Sequence, residues 1–270
     1  MNAQKKFEKI IKKNDSLVCL GLDPDLQKFP SHLQQSEDAI FEFNKSMIDA
    51  THDLVATYKP NIAFYEAYGI EGLKQLKKTI EYIKKSYPEI PVLLDMKRGD
   101  IGNTASKYAI AAFEYWDADA ITVYPYLGYD AVKPFLEYKD RLVILLIKTS
   151  NPDSSMFQDM EAGGEPFYMA MAKKISKWPE DNISIFVGAT YPEELKKMRK
   201  LFPNKFFLSA GFGAQSGQIE KAVRAGVDKN GGGIVFNASR SILYASSGKD
   251  FAQGAREEAG KLRDEINKYR

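Results

Sequence analysis

Eight short apolar runs, each followed by a longer helical stretch, predict an α/β chain closed into a single (β/α)₈ TIM barrel spanning residues 1–270. Three observations carry that expectation. Strand and helix patterns alternate along the whole chain. The length of 270 residues suits a barrel of about 250. The G-x-G-x-x-G turn that an open dinucleotide-binding sheet places after its first strand is missing, because Gly21 is followed by Leu22-Asp23-Pro24-Asp25.

The predicted strands cover 17–23, 56–61, 91–97, 120–124, 142–148, 183–189, 206–211 and 233–237. Between them, stretches such as 71–87 and 192–202 are helical. In the first, Leu73, Leu76, Ile80 and Ile83 recur at helical spacing with lysines between them. The stretch 249–270 alternates acids and bases around Leu262 and Ile266 and reads as a closing helix with a solvated face. The long stretch without periodicity, 151–166, is a candidate active-site loop.

Composition narrows the function classes. Thirty-eight basic against 36 acidic side chains give a formal charge of +2, so neither nucleic acid nor an anionic membrane is expected as the main partner. Small anionic ligands need only a local site. The single cysteine, Cys19, leaves no intrachain disulfide and no multi-cysteine metal centre. The opening MNAQKKFEKI lacks the apolar core of a secretory signal, and no apolar run reaches the roughly 20 residues needed to span a bilayer. The expected compartment is the cytoplasm.

The informative segment runs Leu93-Leu94-Asp95-Met96-Lys97-Arg98-Gly99-Asp100-Ile101-Gly102-Asn103-Thr104. Alternate side chains of a strand share a face, so Asp95 and Lys97 point one way while Val92, Leu94 and Met96 point the other, toward the helices. A carboxylate and an ammonium are thereby directed inward at the C-terminal end of a strand, where barrel enzymes carry their chemistry. Asp100 follows after Gly99, which permits a tight turn. A lone D-x-K would fit a structural ion pair. Three charges at a barrel mouth, costly to bury without a purpose, fit a functional array better. A lysine held between carboxylates keeps its proton, and is an acid and carbanion stabiliser rather than a Schiff-base nucleophile.

The pattern D-x-K-x-x-D-I-x-x-T, present as Asp95, Lys97, Asp100, Ile101 and Thr104, resembles the signature of the orotidine 5′-phosphate decarboxylases. The run DMKRGDIGNTA resembles their longer bacterial subfamily, type 2. The resemblance implies a second lysine from strand two, and Lys59 in Tyr58-Lys59-Pro60-Asn61 stands at that position. The implied catalytic array is Lys59, Asp95, Lys97 and Asp100. It also implies a homodimer in which Asp100 and Thr104 reach into the neighbouring subunit's site.

Barrels often bind phosphate with the loops after strands seven and eight. Here those loops read Gly211-Phe212-Gly213-Ala214-Gln215-Ser216-Gly217 and Asn237-Ala238-Ser239-Arg240-Ser241. Glycines let backbone amides approach a phosphate, and an arginine can grip it in two-pronged fashion. The resemblance implies that Gln215 and Arg240 hold the phosphate, assisted by the Ser239 and Arg240 amides. The chain departs from shorter family members in reading G-A-Q-S-G for G-A-Q-G-G and S-R-S for G-R-S, and backbone donation survives both changes. Gly231-Gly232-Gly233 precedes strand eight and belongs to the opposite, stability face.

After strand five, Lys148-Thr149-Ser150-Asn151-Pro152 reads by itself as a turn. The resemblance assigns Ser150 to recognition of the pyrimidine, where a hydroxyl can match an amide edge. Asp23 at the end of strand one fits either a strand-end cap or, by the resemblance, a contact to the ribose hydroxyls. His32 and His52 have no carboxylate or cysteine at metal spacing, so no metal ligand set is read. Cys19 and the 16 Phe and 15 Tyr residues read as packing groups.

The resemblance covers about 17–244 and implies cofactor-independent decarboxylation of orotidine 5′-monophosphate to uridine 5′-monophosphate and carbon dioxide, the last step of de novo UMP synthesis. In that reading Lys97 stabilises and protonates the C6 carbanion. Two alternatives stand beside it. One is a magnesium-dependent sugar-phosphate decarboxylase or aldolase of the same barrel superfamily, which needs extra carboxylates near Asp23 and Asp95. The other is a non-catalytic phosphate-binding barrel.

Overall fold

Branched apolar residues that are buried on both faces favour strands of a helix-covered parallel sheet, and the run Leu142–Lys148 is of that kind. The computed structural model describes residues 2–211 and 216–270. Its strands are β1 (Val18–Leu22), β2 (Thr57–Pro60), β3 (Leu93–Arg98), β4 (Ala120–Val123), β5 (Leu142–Lys148), β6 (Ile183–Gly188), β7 (Phe207–Ala210) and β8 (Ile234–Ala238). Each falls within or against a predicted run.

The hydrogen-bonded order is β2-β1-β8-β7-β6-β5-β4-β3, with every neighbouring pair parallel. β2 and β3 meet through two isolated parallel bridges, Tyr58 to Val92 and Asn61 to Asp95. Eight parallel strands thus form the expected barrel. Two further bonds reinforce its seam. The Thr57 hydroxyl donates to the Pro91 carbonyl at 2.8 Å, and the Ile62 N–H donates to the Asp95 carbonyl at 3.2 Å.

Helices follow the strands: α1 (Ala3–Asn14) before β1, α2 (Ala39–Thr51) after it, then α3 (Ala63–Glu66) and α4 (Gly69–Ser86) before β3. Next come α5 (Gly102–Ile110), α6 (Tyr129–Leu136), the short α7 (Ser155–Gln158) and α8 (Phe167–Ile175), with α9 (Pro192–Leu201) after β6. The chain ends with α10 (Ser216–Gly226), α11 (Arg240–Leu243) and α12 (Phe251–Asn267). The stretch 151–166, expected to lack regular structure, contains a 3₁₀ turn at Pro152–Ser154 and then α7. Pro152 starts that turn by fixing its own φ, but pieces so short have no periodicity to read. No helix among the described residues is long and apolar enough to cross a membrane.

α1 closes the N-terminal face of the barrel. Its Phe7 is fully buried and tilts against Phe206 with ring centroids 4.6 Å apart. Lys6 Nζ lies 3.0 Å from Asp119 Oδ2, which also accepts the Val92 N–H at 2.8 Å. The Gly231-Gly232-Gly233 turn is on this same face, as expected, where Asp228 Oδ1 accepts the Asn230 and Gly232 amides. Truncation here should cost stability and spare the opposite mouth. Phe7→Ala is expected to lose about 3–5 kcal/mol in urea unfolding. A loss below about 1 kcal/mol would mean that α1 does not pack as described.

Candidate active site

The C-terminal ends of the strands surround a cavity of about 350 Å³, within the usual size of a small-molecule site. Asp23, Lys59, Asp95, Lys97 and Ser150 line it, together with Thr122, Tyr124 and Asn237. Five of the ten residues expected in the site therefore share one chamber.

Asp95 is the centre of the array. It is 7% exposed and accepts a hydrogen bond from Lys59 Nζ on Oδ2 at 3.0 Å. Its Oδ1 accepts from Lys97 Nζ at 2.7 Å and from the Thr122 hydroxyl at 2.8 Å. Burial alone would raise the Asp95 pKa, but the charges of Lys59 and Lys97 and the bonds from Lys97 and Thr122 outweigh it and hold the carboxyl far below its usual range. Burial would likewise lower the Lys59 pKa, and the Asp95 and Asp23 charges reverse that and keep the ammonium protonated. Asp95 and Lys59 thus form a fixed pair of opposite charges.

The strand that supplies Asp95 and Lys97 is not regular. Its register with β4 shifts between Leu94 and Arg98, and Lys97 has φ 44°, in the left-handed region that costs a side-chain-bearing residue about 1–2 kcal/mol. Simple alternation holds through Met96, which is buried with Val92 and Leu94. The Lys97 ammonium reaches the Asp95 side through a bulge, a device that re-aims side chains near active sites. Asp100 departs from the expected array within its own chain. Its Oδ1 accepts the Ile101 N–H at 2.8 Å, and neither Asp100 nor Thr104 lines the cavity. Lys97 is therefore paired with one carboxylate of its own chain, not held between two.

Ser150 sits in a cradle made by two glycines of neighbouring strand ends. A Cβ on Gly188 would lie 2.9 Å from Ser150 Cβ, and one on Gly211 would lie 2.9 Å from its Oγ. The turn that carries Ser150 is also fastened from below. Lys148, 1% exposed, pairs with Asp159 at 2.7 Å, with its ammonium 4.9 Å from the Tyr191 ring centroid. Thr149 N–H donates to Gln158 Oε1 at 2.9 Å, and Gln158 Nε2 donates back to the Thr149 hydroxyl at 2.7 Å. Segment 151–166 thus braces the turn that carries Ser150, and only its first residue, Asn151, is in the cavity lining among the described residues.

Asp23 lines the cavity just past the end of β1. Its Oδ1 is buried and has no hydrogen-bond partner among the described residues, an arrangement that a ligand hydroxyl would satisfy. Ser239 and Arg240 follow β8 outside the cavity lining, and Arg240 is exposed with no ion pair among the described residues. Gln215 lies outside the described residues. Cys19 is fully buried on β1, and burial pushes its thiol up to about 12, in keeping with a packing role. His52 stacks on Tyr87 at 4.4 Å and His32 is exposed, both away from the cavity.

Comparison with known proteins decides between the barrels that could carry such a mouth. Residues 16–254 match the model of the orotidine 5′-phosphate decarboxylase / HUMPS family. The chain belongs to that family. An orotidine 5′-phosphate decarboxylase of Azoarcus sp. is 50% identical over 258 residues, covering 95% of this chain and 95% of its own length. That of Flavobacterium johnsoniae is 47% identical over 267 residues, covering 98% and 97%. Among solved structures, Leishmania donovani OMP decarboxylase superposes with TM-score 0.83 at 35% identity, covering 98% of this chain and 99% of that one. Leishmania donovani UMP synthase gives TM-score 0.88 at 37% identity over the whole of this chain, which spans only 56% of that larger protein.

Within this member of the family, sequence reasoning missed Thr122, the buried pairing of Lys148 and the seat that Gly188 and Gly211 make for Ser150. Thr122 sits in Ala120–Val123 as an ordinary strand former, and nothing in that spacing marks its hydroxyl. Lys148 carried a usable signal, an ionisable residue closing a seven-residue apolar strand. The Lys59–Asp95 pair is buried enough for its removal to be felt. Asp95→Ala is expected to lose about 3–5 kcal/mol in urea unfolding by leaving Lys59 without its partner, and Lys59→Met in the same chain should recover part of that. Additive losses in the double variant would contradict the pairing.

Proposed function

We propose that this chain decarboxylates orotidine 5′-monophosphate to uridine 5′-monophosphate and carbon dioxide without a cofactor, as a cytoplasmic enzyme of UMP synthesis with 1–270 as one catalytic domain. The observation that carries the reading is the Lys97 ammonium, 2.7 Å from Asp95 Oδ1 in the cavity that Asp23, Lys59 and Ser150 also line. Ser150 reads the pyrimidine, Asp23 and Lys59 hold the ribose, and Gln215 and Arg240 with the Ser239 amide hold the phosphate.

Chemistry at this site needs charge stabilisation more than a nucleophile. The bond between C6 and the carboxyl carbon breaks and leaves its electron pair on C6. A fixed ammonium beside that carbon favours the developing negative charge in a site where few other dipoles must reorganise. Lys97 then gives its proton to C6, and the product is neutral at that position. The Asp95 carboxylate, itself clamped by Lys59, keeps Lys97 in place between turnovers. The phosphate lies remote from the bond that breaks, and its binding energy can be used to organise the site. The magnesium-dependent alternative requires additional carboxylates around Asp23 and Asp95, and among the described residues no group of three or more His, Cys, Asp and Glu is arranged to hold a metal.

The ultraviolet change of orotidine 5′-monophosphate, followed with excess chelator, tests the reading. Rapid loss of substrate signal is expected in the parent, with Lys97→Ala slower by at least about 10³-fold. Absence of turnover that magnesium restores on a sugar phosphate would replace the proposal with its rival.

The reading includes a homodimer. Asp100 points its carboxylate at its own Ile101 amide, and Ile101 and Thr104 are exposed beside it, in keeping with a segment that completes a second subunit's cavity. Inactive Lys97→Ala and inactive Asp100→Ala chains, mixed and allowed to exchange, should then regain activity, approaching about one good site in each hybrid dimer. A mixture as inactive as its parts would contradict sharing of the site.

A further inference from the structure

Between Leu94 and Arg98, β3 advances four residues while β4 advances two, from Ile121 to Val123. The ladder is broken opposite Asp95, Met96 and Lys97, and the β4 side chain at the break is Thr122, 2% exposed. Its hydroxyl accepts the Lys97 backbone N–H at 2.9 Å and donates to Asp95 Oδ1 at 2.8 Å. Asp95 Oδ1 also accepts Lys97 Nζ at 2.7 Å. These three bonds form a ring that begins at the backbone of Lys97 and returns to its ammonium.

We propose that Thr122 is a positioning residue for the decarboxylation: its hydroxyl holds the left-handed backbone of Lys97 and the Asp95 carboxylate in one geometry, and so aims the ammonium at the carbon that loses carbon dioxide. This inference rests on the reading of Lys97 as proton donor. Only a group that both accepts and donates can complete the ring, which a hydroxyl does with one proton and two lone pairs. Branching at Cβ restricts χ1, so threonine presents that hydroxyl with little rotamer freedom to lose. Valine fills the same space but leaves the Lys97 N–H unpaired in the bulge and removes one donor from Asp95 Oδ1. The ring touches neither Ser150 nor the phosphate loops, so its loss should fall on the chemical step rather than on binding.

The test is steady-state kinetics on orotidine 5′-monophosphate, inhibition by uridine 5′-monophosphate and thermal unfolding for the parent, Thr122→Val, Thr122→Ser and Lys97→Ala. Thr122→Val is expected to lower kcat by about 10- to 100-fold, while KM and the product inhibition constant move by less than about 3-fold. Thr122→Ser should recover most of the lost kcat. The inference is overturned if kcat of Thr122→Val stays within about 2-fold of the parent, if KM and product inhibition weaken as much as kcat falls, or if serine is as impaired as valine. Should valine fail to fold, Thr122→Ser against Thr122→Cys poses the same question, because a thiol is the weaker hydrogen-bonding group. Lys97→Ala separates the two levels. Full activity in that variant would sink the proposed function itself, whereas loss there with a fully active Thr122→Val would sink only the role of Thr122.

Discussion

Taking a carboxylate out of water costs several kcal/mol unless opposite charge replaces the lost hydration, and the Asp95 side chain is almost wholly out of water. The barrel meets that constraint from two neighbouring strand ends, with Lys59 on one oxygen and Lys97 on the other. Buried Lys59 needs the carboxylate in turn, whereas Lys97 keeps much of its side chain in solvent. A charge pattern held this way does not have to rearrange when negative charge appears on a bound ligand, and that is the physical property an electrostatic catalyst requires. The location of Asp95 follows from the same constraint. It stands at the seam between β2 and β3, where its own carbonyl takes the Ile62 N–H and its side chain meets Lys59 from across the seam.

Around this pair the fold departs from regularity where function asks for it. The bulge in β3 gives Lys97 a backbone conformation that lysine seldom adopts, stabilised by Thr122. At the far wall, Gly188 and Gly211 leave room for Ser150, and the Lys148–Asp159 pair with the Thr149–Gln158 exchange holds that turn against the barrel. Rigid strand ends thus carry the charges, and a fastened loop carries Ser150. On the N-terminal face the described residues include the Phe7–Phe206 packing and the Lys6–Asp119 ion pair, at the opposite end of the barrel from the Asp95 array.

Much of this was legible in the sequence because it follows from period and position. The eight strands were visible as short apolar runs, and Asp95 with Lys97 emerged from two-residue alternation at the end of one of them. Lys59 was not legible from spacing, since a lone lysine near the end of a short strand carries no mark, and it entered through the family resemblance. The bulge left no trace in Asp95-Met96-Lys97, where neither glycine nor proline announces it. Thr122, Gly188 and Gly211 act through contacts across strands, and a one-dimensional pattern does not encode those contacts. Asp100, expected to reach into a neighbouring subunit's site, bonds within its own chain to the Ile101 amide in the turn after β3, a local bond that two-residue alternation does not reveal.

Whether the Lys59–Asp95–Lys97 array aims one ammonium at the reacting carbon is decided by a crystal structure with uridine 5′-monophosphate bound. The expected result is C6 of the base at about 3 Å from Lys97 Nζ, with Ser150 at the amide edge and the ribose hydroxyls against Asp23. A base seated with C6 turned away from Lys97, or a nucleotide bound outside the cavity, would contradict it.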